Sequence, residues 1–146
     1  MPGPEKMHLP EERVEMPVSG QERADSGGWV IFLMEGDDLN PDVITELLGI
    51  SPDRTAYPDP QDGSRGFWQL NSTLSGSRPA EEHYWNILER LLPVYRKLWD
   101  LSEKYALEFY CSLRKGSDER SALNLPAKIL LLTGYIGARL EFEAYE

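Results

Sequence analysis

An uninterrupted apolar run near the start of the chain limits its fold more than any other feature. Residues 29–34 read WVIFLM, and Gly28 and Gly36 flank them. Such a short run of strand-forming residues is typical of a β-strand that is buried on both faces or lies at the centre of a sheet. We therefore expect a sheet with this strand inside it.

A helix and a hairpin are expected next along the chain. Asn40 is a helix cap, Pro41 occupies the first helical position, and Gly49 ends the helix. Residues 54–57 are expected to form a short edge strand that pairs with a strand over residues 67–74. The connection between them is rich in proline, aspartate and glycine, which excludes a helix there.

The second half of the chain contains one long helical pattern and two further strands. Apolar residues recur at helical spacing over residues 79–105, and Pro93 either kinks this helix or divides it into two. Residues 107–113 alternate between apolar and polar positions, as in a half-buried strand. A short helix over residues 126–132 and a closing strand over residues 140–145 follow.

This order of elements predicts an α+β fold. We expect a two-layer sandwich with a mainly antiparallel sheet of four to five strands and the helices on one face. The first six elements match the split β-α-β arrangement of ferredoxin-like folds. We assign residues 28–146 to a single α+β domain. Residues 1–27, which contain four prolines and no periodic pattern, are expected to be a disordered acidic tail.

A series of residues in the expected domain carries a family resemblance: Phe32, Gly36, Leu39, Pro41, Ile44, Thr45, Leu48, Gly49, Pro52, Trp68, Leu88 to Leu92, Leu125, Pro126, Gly137, Leu140, Glu143 and Tyr145. With these residues the chain resembles an uncharacterised bacterial family, the domain of unknown function 4279. The resemblance covers residues 29–146, and its most specific block is NPDVITELLGISP at residues 40–52. The closing strand of that family usually ends with Asp, one residue and Tyr, whereas Glu143 occupies the Asp position here. The resemblance implies a compact α+β domain and implies no activity.

Composition and charge argue against several classes of protein. Cys111 is the only cysteine, so the chain can form neither an internal disulfide nor a cysteine-based zinc site. We expect a cytoplasmic protein, because there is no membrane-length apolar run and no signal-peptide pattern. A formal net charge of −10 speaks against nucleic acid as a partner. Acidic residues are concentrated in residues 29–76, either for solubility or as a face for a protein with a basic surface.

The sequence contains no pattern typical of a catalytic or cofactor site. His83 is expected to be exposed in the first turn of the long helix, and Cys111 lies on the apolar side of its strand, so they do not form a nucleophile–base pair. Asp38, Asn40 and Asp42 resemble the start of a calcium loop, but the helix cap explains them fully. No phosphate-binding glycine motif is present. We therefore expect no cofactor, no metal and no enzymatic activity.

One region remains as a candidate binding site. The loop over residues 51–66 and the strand after it contain Arg54, Tyr57, Arg65 and Trp68. Arginine and aromatic side chains contribute much of the binding energy at protein interfaces, and arginine can bind an anion through two parallel hydrogen bonds. Alternatively, Trp68 belongs to the core and the arginines pair with aspartates of the loop. The leading hypothesis is a non-enzymatic protein-binding module, with an immunity-like role as one version. A small-ligand or enzymatic domain that uses this region is the alternative, and a self-associating subunit is a third hypothesis.

Overall fold

The fold is described by a computed structural model of residues 28–114 and 124–145. The expected disordered tail over residues 1–27 lies outside the described residues. The elements, in chain order, are β1 (Gly28–Gly36), α1 (Pro41–Leu48), β2 (Arg54–Ala56), β3 (Gly66–Asn71), α2 (Ala80–Leu91), a 3₁₀ turn (Leu92–Val94), α3 (Tyr95–Leu101), β4 (Ala106–Arg114), α4 (Ala127–Tyr135) and β5 (Arg139–Tyr145).

The five strands form one sheet in the order β2-β3-β1-β4-β5. The apolar run of β1 lies at its centre, where Phe32 is opposite Leu70 of β3 and Phe109 of β4. All pairs are antiparallel except β4 with β5, because α4 returns the chain to the end of the sheet at which β4 began. The expected α+β fold with a mainly antiparallel sheet is confirmed. Strands β1 and β2 are parallel with β3 between them, which is the split β-α-β arrangement.

The core lies between the sheet and the helices. Phe32 meets Trp68 and Phe109 edge-on, with ring centroids 6.4 and 5.3 Å apart. The ring of Tyr84 in α2 stacks on Phe109 at 4.2 Å. This aromatic row ties three strands to one helix. The strand residues that are buried on this face are Val30, Phe32 and Met34 of β1, Trp68 and Leu70 of β3, and Leu107, Phe109 and Cys111 of β4.

The opposite face of the sheet is only partly covered. Ile31, Leu33, Phe67 and Tyr110 occupy the alternate positions of the strands and are half-buried. The uninterrupted apolar run of β1 therefore arises because both faces at the centre of the sheet carry apolar side chains.

Helix α1 has the boundaries that its capping residues predict. The side chain of Asn40 accepts a hydrogen bond of 2.9 Å from the backbone N–H of Asp42. At the other end, Gly49 adopts a left-handed conformation with φ of 71° and donates its N–H to the carbonyl of Thr45. These bonds satisfy backbone groups that a bare helix end would leave unpaired.

The long helical pattern is divided at Pro93. Proline has no N–H to donate and clashes with the preceding turn, so the chain forms a 3₁₀ turn between α2 and α3. After the turn, Tyr95 and Trp99 are exposed while Leu98 and Leu101 are buried. The sequence stripe that included all four residues is therefore only partly a core stripe.

The expectation that His83 is exposed is wrong. Its side chain is completely buried in α2, and its Nδ1 lies 2.7 Å from the hydroxyl oxygen of Ser72. A buried imidazole needs polar partners, and Ser72 provides one from the segment after β3. That segment also shows that β3 is shorter than expected, since the strand ends at Asn71 rather than at residue 74.

Candidate functional site

The structure gives the four predicted binding residues separate surroundings. Trp68 is completely buried and donates its indole N–H to the hydroxyl of Thr45 at 3.0 Å. The guanidinium of Arg54 lies over the ring of Phe67, 5.9 Å from its centroid. Within residues 28–114 and 124–145, no hydrogen bond or ion pair joins any of the four to another. Their role in binding stays a prediction.

Tyr57 and Arg65 connect the hairpin to a second loop. The hydroxyl of Tyr57 donates to both carboxylate oxygens of Asp42, at 2.9 and 2.8 Å. Arg65 makes ion pairs with Glu35, at 3.7 Å, and with Asp37, at 3.2 Å. The hairpin loop is therefore held against the segment that joins β1 to α1.

We name these two segments, residues 35–42 and 57–66, the carboxylate end of the sheet. They contain six acidic residues and one basic residue, Arg65. Five of the acidic residues are exposed, and Glu35 is half-buried. The exposed acidic residues are Asp37, Asp38, Asp42, Asp59 and Asp62.

Local hydrogen bonds favour the ionised form of Asp62 and the neutral form of Tyr57. The hydroxyl and the backbone N–H of Ser64 both donate to Asp62, and these bonds lower the pKa of its carboxyl. The hydrogen bond to the Asp42 carboxylate raises the pKa of Tyr57, followed by burial and the negative charge of Asp42. Tyr57 therefore remains a neutral hydrogen-bond donor to Asp42. At neutral pH this end of the sheet is strongly negative.

A comparison with protein-family models identifies the family of the chain. The model of the domain of unknown function 4279 (DUF4279) matches residues 26–146, which include every described element. The chain belongs to this family. The expected resemblance to this family is thereby confirmed. No curated protein and no solved structure matches the chain.

The cysteine and the histidine among the described residues of this DUF4279 domain are both buried. Cys111 of β4 is completely enclosed, and this burial raises the pKa of its thiol to about 12. His83 lies in α2 against Ser72. Among the described residues, no three histidine, cysteine, aspartate or glutamate side chains are grouped so that they could hold a metal ion. No helix in that part of the chain is long and apolar enough to cross a membrane.

The thiol of Cys111 is expected to react with a thiol reagent only after unfolding. The thiolate is the reactive form, and a thiol with a pKa of about 12 is almost entirely protonated in mildly alkaline buffer. Ellman's reagent should therefore release no chromophore from the native protein, and one equivalent within minutes in concentrated urea. Rapid reaction of the native protein would contradict the burial of this side chain.

A second surface was not recognised as a candidate site from the sequence. Tyr95, Arg96, Trp99, Asp100 and Tyr135 line a groove of about 500 Å³ between α3 and α4. The sequence places Tyr95 and Trp99 in the apolar stripe of one long helix, so they resemble core residues. The signal that could have revealed them is Pro93, since a break there changes which side of the helix faces the core.

Proposed function

We propose that this DUF4279 domain is a non-enzymatic module that binds a partner protein with a basic surface. The proposal rests on one observation, the gathering of exposed carboxylates at the carboxylate end. Arg65 is the only cation of these two segments, and Glu35 and Asp37 already pair with it. The remaining charge is uncompensated within the two segments and is available to a partner.

Electrostatics would set how such a partner binds. A cluster of like charges creates a field that speeds the encounter with an oppositely charged surface and discriminates against acidic proteins. The field is screened over about 10 Å at 0.1 M salt, so the association should weaken as salt rises.

The two loops are also suited to present their charges in a fixed arrangement. The bond from Tyr57 to Asp42 and the ion pair from Arg65 to Asp37 connect them on both sides. A partner therefore has less loop entropy to remove on binding. An immunity-like role, in which a small acidic protein blocks a basic toxin, is one form of this proposal.

Neutralising two carboxylates is expected to reduce capture of the partner. The double variant Asp38→Asn/Asp59→Asn removes two charges that do not pair with Arg65, while it keeps side-chain size. Wild type and variant are immobilised and exposed to extract of the native cell at about 0.05 M salt, and bound proteins are quantified by mass spectrometry. We expect one or a few basic proteins to bind wild type and to be reduced several-fold with the variant.

The matched control is Glu141→Gln/Glu143→Gln, which removes the same charge from β5. These two residues are exposed and lie outside the carboxylate end. We expect the control to retain the proteins that wild type retains, and elution to occur as salt rises to about 0.5 M. Equal loss in both variants, or capture that resists salt, would refute the proposal.

A further inference from the structure

We propose that the groove between α3 and α4 binds a small molecule with a quaternary ammonium group. Three aromatic rings and one carboxylate line this groove, those of Tyr95, Trp99, Tyr135 and Asp100. The groove and the carboxylate end share no residue, so this inference does not depend on the proposed function. A volume of about 500 Å³ is within the range of sites that hold small molecules.

The two tyrosine rings together form one aromatic wall of the groove. The ring centroids of Tyr95 and Tyr135 are 6.4 Å apart, and the ring planes are inclined by 45°. A cation gains energy from an aromatic ring when it lies within about 6 Å of the centroid. Rings at this distance are in contact, so a quaternary ammonium has no room between them, but one that lies against the open side of the pair can be within about 6 Å of both centroids.

The indole of Trp99 is held in position by the turn that follows α4. Gly137 has a φ of 78°, and a Cβ atom there would lie 3.4 Å from Cε3 of Trp99 and would clash with the side chain of Ser102. The hydroxyl of Ser102 donates to the carbonyl of Trp99 at 2.6 Å. The absence of a side chain at Gly137 therefore lets the indole rest against the backbone. A wall that is fixed before binding loses little entropy when a ligand arrives.

The groove already holds a cation of its own chain. The guanidinium of Arg96 lies 5.6 Å from the ring centroid of Tyr95, and its Nε donates to the Tyr95 hydroxyl at 3.1 Å. This contact occupies one wall and uses part of the donor capacity of Arg96. An aromatic wall that attracts a guanidinium also attracts other weakly hydrated cations.

The carboxylate of Asp100 favours a cation over an anion as the occupant. Asp100 is exposed and makes no hydrogen bond or ion pair through its side chain in the described part of the chain. The net charge of −10 adds a field of the same sign. An anionic ligand would be repelled by the carboxylate of Asp100 and by the net negative charge of the protein. The nearby cation, Arg96, already donates a hydrogen bond to Tyr95.

A quaternary ammonium fits this lining better than a primary ammonium does. A primary ammonium is strongly hydrated and brings three N–H donors, which need acceptors when water is removed. The groove offers a single carboxylate among aromatic faces. A quaternary ammonium has no N–H donor, and its methyl groups can pack directly on the rings.

Choline and its uncharged analogue 3,3-dimethyl-1-butanol test the proposal on the full chain. The two molecules have almost the same shape, so the difference in affinity reports the charge. We expect choline to shift the indole N–H resonance of Trp99 in a saturable manner, and the alcohol to bind about tenfold more weakly. Equal affinity for the two molecules, or no saturable shift with choline, would overturn the proposal.

Three variants and one control locate the site. Trp99→Ala should abolish the saturable binding of choline, Asp100→Asn should weaken it several-fold, and Arg96→Gln should strengthen it because a competing cation is removed. Calorimetry measures all of them, and circular dichroism checks that each is folded.

Phe142→Ala is the matched control, because Phe142 and Trp99 are each 51% exposed and Phe142 does not line the groove. It should bind choline as wild type does. Loss of binding in this control, or unchanged binding in Asp100→Asn and Arg96→Gln together, would contradict the assignment to this groove.

Discussion

Replacing Gly66 with alanine is expected to lower the free energy of unfolding by about 3 kcal/mol or more. Gly66 begins β3 and is buried, with Gly36 of β1 opposite it. A Cβ atom at Gly66 would collide with the backbone carbonyl oxygen of Leu39 and would lie 3.0 Å from Cδ of Pro58. Thermal or urea unfolding followed by circular dichroism measures the effect.

The clash is costly because Leu39 cannot move away. Its side chain is completely buried in the core, and its N–H bonds to the carbonyl of Gly36 at 3.3 Å. A shift of Leu39 would therefore disturb both the core and the entry to α1. A clash with a flexible side chain can be relieved by a change of rotamer, whereas a clash with a backbone atom cannot.

Gly76→Ala is the control for this substitution. A Cβ atom at Gly76 would meet nothing within 4 Å, and the residue does not have a positive φ. We expect its free energy of unfolding to stay within about 0.5 kcal/mol of wild type. If Gly66→Ala unfolds at the same urea concentration as Gly76→Ala, then β3 and the loop at Leu39 are not in close contact.

Features determined by neighbouring residues in the sequence were predictable. Asn40, Pro41 and Gly49 define α1 through local hydrogen bonds and backbone preferences, and the structure reproduces both ends. The alternation over residues 107–113 identifies β4 because a strand places successive side chains on opposite faces. In these segments, the chemistry that decides the structure lies within a few residues.

Features determined by distant contacts were not predictable. The burial of His83 depends on Ser72, which arrives from the end of β3. The parallel pairing of β5 with β4 depends on the path of the chain through α4, which no local pattern reveals.

The same limit applies to the candidate surfaces. Acid excess and a long arginine-containing loop indicated one part of the carboxylate end. The bond between Tyr57 and Asp42, 15 residues apart, brings the second loop to it. The groove includes Tyr95 and Trp99, which follow the turn at Pro93 and are exposed, although the sequence places them in the apolar stripe. A surface built from two segments becomes visible only once their packing is known.

Replacing Trp68 with alanine is expected to lower the free energy of unfolding by about 3–5 kcal/mol. The indole is completely buried, and it packs edge-on against Phe32 in the centre of the sheet. Its removal leaves a cavity between the sheet and α1, and it leaves the hydroxyl of Thr45 without the indole N–H. Urea unfolding, with the midpoint and the slope both fitted, measures the loss.

Trp68→Phe and Thr45→Val separate the two contributions of this side chain. Phenylalanine retains most of the apolar volume and lacks the N–H, whereas valine at residue 45 retains the volume and leaves the indole N–H unpaired. Because a lost hydrogen bond in a partly buried site costs about 1–3 kcal/mol, each should be less destabilising than Trp68→Ala. If Trp68 serves chiefly as a binding residue, Trp68→Ala should instead unfold at the wild-type midpoint. By contrast, if Trp68→Ala lowers the urea midpoint most, and Trp68→Phe and Thr45→Val each lower it less, the indole stabilises the fold by packing and by its bond to Thr45.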